Sequence, residues 1–379
     1  AGIGLAPAGG RVRVMPGTYN EEVTIGKAIT LEGGDRGHDD DHRRRREVVI
    51  ERIFARVTTP GFPVATADSS VIRVNTSDPV EIRDIGVHHV WVRGLNALNA
   101  PQLTLDNMSF LGEWDSLTVV SNNGVTVVSR AAEHAGARGH LEIRNSRIDT
   151  DGVGIQLGGD VDAEIEHNVF GGAISERITR GTRLVCIRMS PKGQVSTVSG
   201  AGMQLNVDVV NNEFIDCGIN NANAIAVNSD TGTSGTTATG QVNIVGNRFV
   251  YSASPPRSPC NATAITYSYY SGRIEHNSVI SAAQSCSPIP SAGIRIGSAP
   301  ATPTVRAAVV SVRFNDIVGN AFSGLRVRSN QTTSLDARCN WWGTSAPSVA
   351  TGVATGAAGS GEDILVEAGA ATPILAPFA

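Results

Sequence analysis

The chain has 379 residues, a formal net charge of −4 and 41% hydrophobic residues. That length allows a large buried core, and the slightly acidic balance excludes the global basic field that would draw the protein to nucleic acid. No apolar run approaches the roughly 18 residues that a membrane-spanning helix needs.

From Gly10 to Gly33 the chain alternates, with Val12, Val14, Val23, Ile25, Ile29 and Leu31 on one face and Pro16-Gly17 as a turn. A period of two marks half-buried strands, so residues 1–34 are expected to form a first coil. Residues 35–63 interrupt it with a run of mixed charge, Asp35 to Arg46, and then a Pro/Gly segment. His38 and His42 in that run have a spacing that binds zinc on a helix. No helical apolar face accompanies them, so the run reads as a self-neutralising solvated loop. Residues 71–130 carry weaker strand signals, around Val80-Glu81-Ile82 and Val90-Trp91-Val92.

Residues 141–343 form a regular body. A six-residue pattern, aliphatic-x-x-Asn-x-apolar, recurs at Ile165 to Phe170, Val209 to Phe214, Ile244 to Phe249, Ile274 to Val279, Val312 to Ile317 and Ala337 to Trp342. Two relatives, Leu105 to Phe110 and Ile143 to Ile148, carry the Asn one place sooner. The copies begin 22 to 44 residues apart, a period that means stacked units. Asn tolerates left-handed backbone, so it is expected to take the bend, and stacked copies can hydrogen-bond as a ladder. Second short strands follow at Gly154–Leu157, Ala224–Val227, Ala264–Tyr267, Gly293–Ile296 and Gly324–Val327. One unit is then strand, Asn turn, loop, strand, loop. A two-sheet sandwich would not need an Asn at one register. The expected fold is all-β: a single-stranded right-handed parallel β-helix with loop insertions over residues 1–343. Residues 344–379 are expected to form a C-terminal strap or cap containing a strand-like Asp363–Val366.

Cys186, Cys217, Cys260 and Cys286 fall after the Asn turns of four successive units. Pairing Cys186 with Cys217 and Cys260 with Cys286 would staple neighbouring loops and imply an oxidising compartment, although spacing alone does not fix the connectivity. Cys339 is expected to be a buried free thiol.

The stretches Gly10 to Ile25 and Ala28 to Gly33, together with Cys339-Asn340-Trp341-Trp342-Gly343, resemble the opening and closing coils of right-handed parallel β-helix repeat proteins. That superfamily includes pectate lyases and pectin methylesterases. The resemblance implies the fold over most of the chain and does not imply a reaction, because one fold hosts many sites. Family members often begin with a helix that caps the first coil. Only Ala1 to Gly9 precede the first strand here, so the expectation is either that this sequence starts after such a helix or that the open end meets a partner or another copy. The compact catalytic signatures of the best-known pectate lyases, pectin methylesterases and polygalacturonases are absent.

A site on a solenoid is assembled from outward residues of successive coils. Alternation puts Gln156, Asn228, Thr266, Ser268, Arg295, Arg326 and Arg328 outward on the sheet of second strands. Guanidinium forks suit carboxylates, which makes an acidic sugar polymer the expected ligand; the bland alternative is a solvated charged face. Arg295 and Arg326 are the catalytic candidates, and Gln156, Asn228 and Arg328 the substrate-binding ones. The resemblance implies a role for such an Arg, since in some lyases of this fold one is thought to take the proton beside a uronate carboxylate. Asp149-Thr150-Asp151-Gly152, with Asp160 and Asp162 nearby, resembles a polygalacturonase segment. Asp149 and Asp151 are therefore acid–base candidates. The same carboxylates suit Ca2+, the one cofactor the sequence suggests.

His167 and His276 share one repeat slot, which favours a structural role. Trp341 and Trp342 are expected to pack at the closing coil, and Lys192 would serve as a base only if desolvated. The expected function is a secreted or cell-surface β-helix that binds or acts on polysaccharide, a lyase on acidic polymers if it is an enzyme. The alternative is a non-enzymatic structural, adhesive or assembly subunit of a cell surface or larger complex.

Overall fold

Three parallel sheets wrap one apolar core, with ten, ten and twelve strands. The structure is a computed structural model, and it describes residues 2–34, 48–53, 69–90, 92–98, 101–113, 123–129, 138–150, 152–171, 185–190, 204–218, 223–227, 239–251, 263–280, 292–297, 307–320, 323–345, 347–353 and 362–375. Each coil gives one strand to each sheet in turn, as with Gly139–Arg144, Arg147–Thr150 and Val153–Gly159. Neighbours within a sheet come from successive coils and pair in parallel. This is a parallel β-helix, right-handed as parallel crossovers are.

The sequence reading expected two strands per unit; there are three. The missed strand follows the Asn directly and has only three residues in Val169–Gly171, Glu213–Ile215 and Arg248–Val250, too few for alternation to register. Another correction falls in the expected interruption, where Val48–Ile53 pairs with both Gly17–Asn20 and Gly86–Val90.

The asparagines form a buried ladder. Asn168, Asn212, Asn247, Asn277 and Asn315 each donate through their backbone N–H and their Nδ2 to Oδ1 of the next Asn, at 2.9 and 3.0 Å. Asn340 ends the series. Each Nδ2 also reaches a carbonyl of the preceding coil, as Asn247 does with Val209 at 2.8 Å. Ser146 holds the same slot one coil earlier, accepting from Met108 N–H and donating its own N–H to Asn168.

The ladder Asn is not the left-handed residue, contrary to expectation. The positive φ falls one place earlier, on Asn107, Asn145, His167, Asn211, Gly246, His276, Phe314 and Cys339, at 52° to 70°. Asn107 and Asn145, which had looked like displaced repeat asparagines, therefore fill a different slot. It is an exposed bend, and residue type there is free apart from the backbone cost.

Inside, Phe110, Ile148, Phe170, Phe214, Phe249, Val279 and Ile317 stack in register on the second sheet. The rings of Phe170, Phe214 and Phe249 stack with successive centroids 4.8 Å apart and nearly parallel planes. The corner leading to the third sheet is tight and takes small residues: Gly154, Cys186, Ala224, Ala264 and Gly324 are each the second residue of their strands. A Cβ on Gly324 would sit 3.0 Å from Ile317 Cγ2. Cys186 uses this corner to form a buried disulfide with Cys217 of the next coil. Cys186 is thus a strand residue rather than a loop residue, while the expected pairing holds. Cys260 and Cys286 lie outside the described residues. Cys339 is free and half-buried.

The outer face of the first sheet carries an alternating charge column, Arg13, Glu32, Arg83, Asp106, Arg144 and Glu166. Arg83 donates to Glu32 at 2.7 Å. At the start of the chain a helical turn, Gly2–Leu5, has its carbonyls at Gly4 and Ala6 capped by Lys27 Nζ. At the other end Trp342 is buried against the corner while Trp341 keeps 41% exposure. The tail from residue 344 gives two strands to the third sheet, Val349–Val353 and Glu362–Glu367, in the spatial order Ser323–Val327, Glu362–Glu367, Val349–Val353.

Candidate functional site

The third sheet carries one outward column through eleven strands. Its members, in register, are Thr24, Arg73, Asn96, Thr126, Gln156, Arg188, Ala226, Thr266, Arg295, Arg326 and Leu365. Alternation along the strands puts these positions on the face away from the core. Asn223 meets the column, its Oδ1 accepting from Thr266 and Arg295.

Three arginines gather near its end. Arg326 is fully buried and donates Nη2 and Nε to Glu367 Oε1 at 2.7 and 3.0 Å. Arg328 Nε lies 3.0 Å from the same oxygen, and the other carboxylate oxygen accepts from Ser329 N–H at 3.1 Å. Arg326 Nη1 is buried and has no hydrogen-bond partner among the described residues. Arg295 stands beside Arg326 but among the described residues bonds only neutral groups: its Nη2 donates to Asn223 Oδ1 at 3.0 Å and to Thr266 Oγ1 at 2.9 Å. Thr266 Oγ1 in turn donates to Asn223 at 2.6 Å.

The electrostatics follow from this arrangement. One carboxylate serves two cations, and the third cation has none. Burial lowers the Arg295 pKa first, and the charges of Arg328 and then Arg326 lower it further, to about 10 against the pull of Glu367. The residue as a whole keeps some exposed surface while its guanidinium lies deep among these neighbours. Arg328 is lowered by burial above all, with Glu367 opposing.

The column thus brings Gln156, Thr266, Arg295 and Arg326 into one line, with Arg328 beside it. It does not bring Asp149 there. Asp149 is on the second sheet, four coils before Arg295, buried and 3.8 Å from Arg147 Nη2. Asp160 and Asp162 border the first sheet and are engaged: Asp160 accepts from Gln204 N–H at 2.6 Å, and Asp162 from Arg138 and Asn206. Among the described residues no group of three or more His, Cys, Asp or Glu could hold a metal ion. Asp151, Asn228, Lys192, His38 and His42 lie outside the described residues. Ser268 is tied to Val227 O at 3.1 Å. His167 and His276 are exposed left-handed corner residues, and His276 stacks on Phe314 with centroids 5.3 Å apart. Sequence reasoning missed Glu367, Asn223 and Arg188. Glu367 ends the strand-like piece of the tail and was the one of these with a local signal.

Fold and site together define a parallel β-helix whose third sheet carries an arginine-rich outward track. No protein-family model matches the chain, and no curated protein sequence matches it. Two solved structures are similar in shape. The catalytic unit of thermostable GH87 alpha-1,3-glucanase from Streptomyces thermodiastaticus strain HF3-3 matches at TM-score 0.47 and 13% identity, over 99% of this chain and 65% of that one. The tailspike protein gp49 from Acinetobacter baumannii bacteriophage Fri1, a capsular polysaccharide depolymerase, matches at TM-score 0.39 and 11% identity, over 88% of this chain and 56% of that one. The chain therefore spans less than two thirds of the length of either.

Proposed function

We propose that this protein binds an acidic polysaccharide along the outward column of the third sheet and, in the finer reading, cleaves it as a lyase. The observation that carries the proposal is the charge imbalance at Arg295. A desolvated guanidinium with two like charges beside it and only neutral bonds is costly. A ligand carboxylate would offset that cost, with the partly exposed Arg328 beside it as a second cation. The disulfide supports an oxidising compartment, so we place the protein outside the cytoplasm. Among the described residues no helix is long and apolar enough to cross a membrane.

In the lyase step, Arg328, which keeps some exposure, faces the uronate carboxylate and so acidifies the adjacent C–H. The neutral fraction of Arg295 takes that proton. The electron pair left on carbon forms a carbon–carbon double bond as the next carbon–oxygen bond breaks, and the leaving oxygen takes a proton from solvent. The depressed pKa of Arg295 raises its neutral fraction for this role.

The test is incubation with a panel of uronic-acid polymers, with and without calcium. Binding is followed by calorimetry and cleavage by the ultraviolet absorbance of new unsaturated ends. Binding without absorbance would leave a binding module and remove the lyase. No binding to any acidic polymer would reject the whole reading.

A further inference from the structure

We infer that Arg188 forms a second anion subsite on the same column, so that the ligand is an oligomer with acidic groups on more than one of its units rather than a single acidic sugar. This rests on the binding reading above and names its ligand class more closely. Arg188 lies on Val185–Ser190, in register with Gln156 on one side and Ala226 on the other. It is half-buried and makes no hydrogen bond or ion pair among the described residues. Arginines of the first sheet behave differently: Arg83 and Arg144 each meet a carboxylate, as does Arg138 just before its strand Gly139–Arg144. A guanidinium partly removed from water and given no partner is placed to receive one.

Gln156 supplies an independent observation. It is fully buried, its Nε2 donates to Leu157 O at 3.1 Å, and its Oε1 has no hydrogen-bond partner among the described residues. An unused acceptor in register with an unused cation marks an unsatisfied polar locus on these two coils, and Arg188, the half-buried member, is the group a ligand carboxylate would meet. The strand holding Arg188 is fixed by the Cys186–Cys217 disulfide two residues away, so the cation is held at a defined height on the solenoid.

The spacing decides the ligand class. Arg188 and Arg295 are three strands apart, about 14 Å at the usual strand separation. Only Ala226 and Thr266 stand between them on the column, and neither is charged. A chain laid along the solenoid axis would meet one cation, two neutral positions, then the arginine cluster. No single sugar reaches both.

The experiment measures calorimetric affinity for oligogalacturonates of graded length, from dimer to octamer, at fixed salt. The wild type should gain affinity steeply once the oligomer reaches both loci. Arg188→Gln should remove that gain, about fivefold to tenfold for one charge-assisted pair, and leave the shortest oligomer unaffected. Arg295→Gln should weaken every length. Equal loss at all lengths in Arg188→Gln, or no loss, overturns the second subsite and leaves the binding reading standing. No binding by any oligomer, or no effect of Arg295→Gln, overturns the binding reading itself and the subsite with it. A wild-type measurement needs no variant: affinity should fall more steeply with salt for the octamer than for the dimer. Equal slopes would also overturn the second subsite.

Discussion

Arg295 and Arg326 are register neighbours on adjacent strands, yet only Arg326 reaches Glu367. Two identical side chains one strand apart thus have opposite energetic meaning. Arg326 and Glu367 are both buried and paired with each other, whereas Arg295 is a cation held without an anion among the described residues.

The first prediction separates them by stability. Arg326→Met leaves a buried carboxylate short of its main partner and should cost about 3 kcal/mol. Arg295→Gln removes an uncompensated charge and should cost nothing or stabilise by about 1 kcal/mol. Urea unfolding midpoints of the two variants check this. A large loss in Arg295→Gln would mean that the guanidinium is a structural brace.

The second concerns pH. The Arg295 pKa is lowered on folding, to about 10. Between about 10 and the ordinary guanidinium range the unfolded chain therefore binds more protons than the folded one, and stability rises with pH there. Below about 10 the penalty is constant. The stability difference, wild type minus Arg295→Gln, should grow as pH rises through that window. Cleavage of acidic polymers, if Arg295 is the base, should accelerate with pH up to about 10. A rate that is flat from pH 7 to 10 would remove Arg295 from that role.

The third contrasts two consecutive residues. Asn168 is buried and makes hydrogen bonds through its backbone N–H, Nδ2 and Oδ1. Asn168→Ala strands Ser146 N–H and Ile143 O on the preceding coil and should cost about 2–3 kcal/mol. His167 is exposed at φ 53°, where a Cβ is disfavoured. His167→Gly should leave stability unchanged or raise it by about 1 kcal/mol. Thermal melting of both variants gives the answer.

The fourth concerns the disulfide, which closes a sequence separation of 31 residues. The double variant Cys186→Ala with Cys217→Ala should lose about 3–4 kcal/mol by the loop-entropy argument. The alanine at 186 fits the small-residue corner already occupied by Ala224 and Ala264. Differential scanning calorimetry of the variant against the oxidised wild type measures the loss.

The repeat was legible because its Asn is buried. A side chain that must satisfy backbone donors and carbonyls on two coils cannot vary, so Asn168, Asn212, Asn247, Asn277, Asn315 and Asn340 stand out in one dimension. The residue before each can be His, Asn, Gly, Phe or Cys, since it faces solvent, and the left-handed position was consequently assigned one place too late. The second sheet was illegible because three residues hold barely one period of alternation. Alternation assigned Gln156, Thr266, Arg295 and Arg326 to one face, and strand register puts them in one column. The pairing within it was not legible, because Glu367 lies 41 residues beyond Arg326 in a tail rich in Ala and Gly. Arg188 sits among residues with no repeat Asn nearby, and its place on the column came only from strand register.

The order of strands at the end of the third sheet has a consequence for synthesis. Val349–Val353 leaves the ribosome before Glu362–Glu367, yet the later strand is the one seated against Ser323–Val327. Until that successor arrives, the edge of Ser323–Val327 has not met its final partner. Throughout that interval Arg326 waits without its carboxylate, so the nascent solenoid keeps an unsealed, positively charged rim until residue 367 is made.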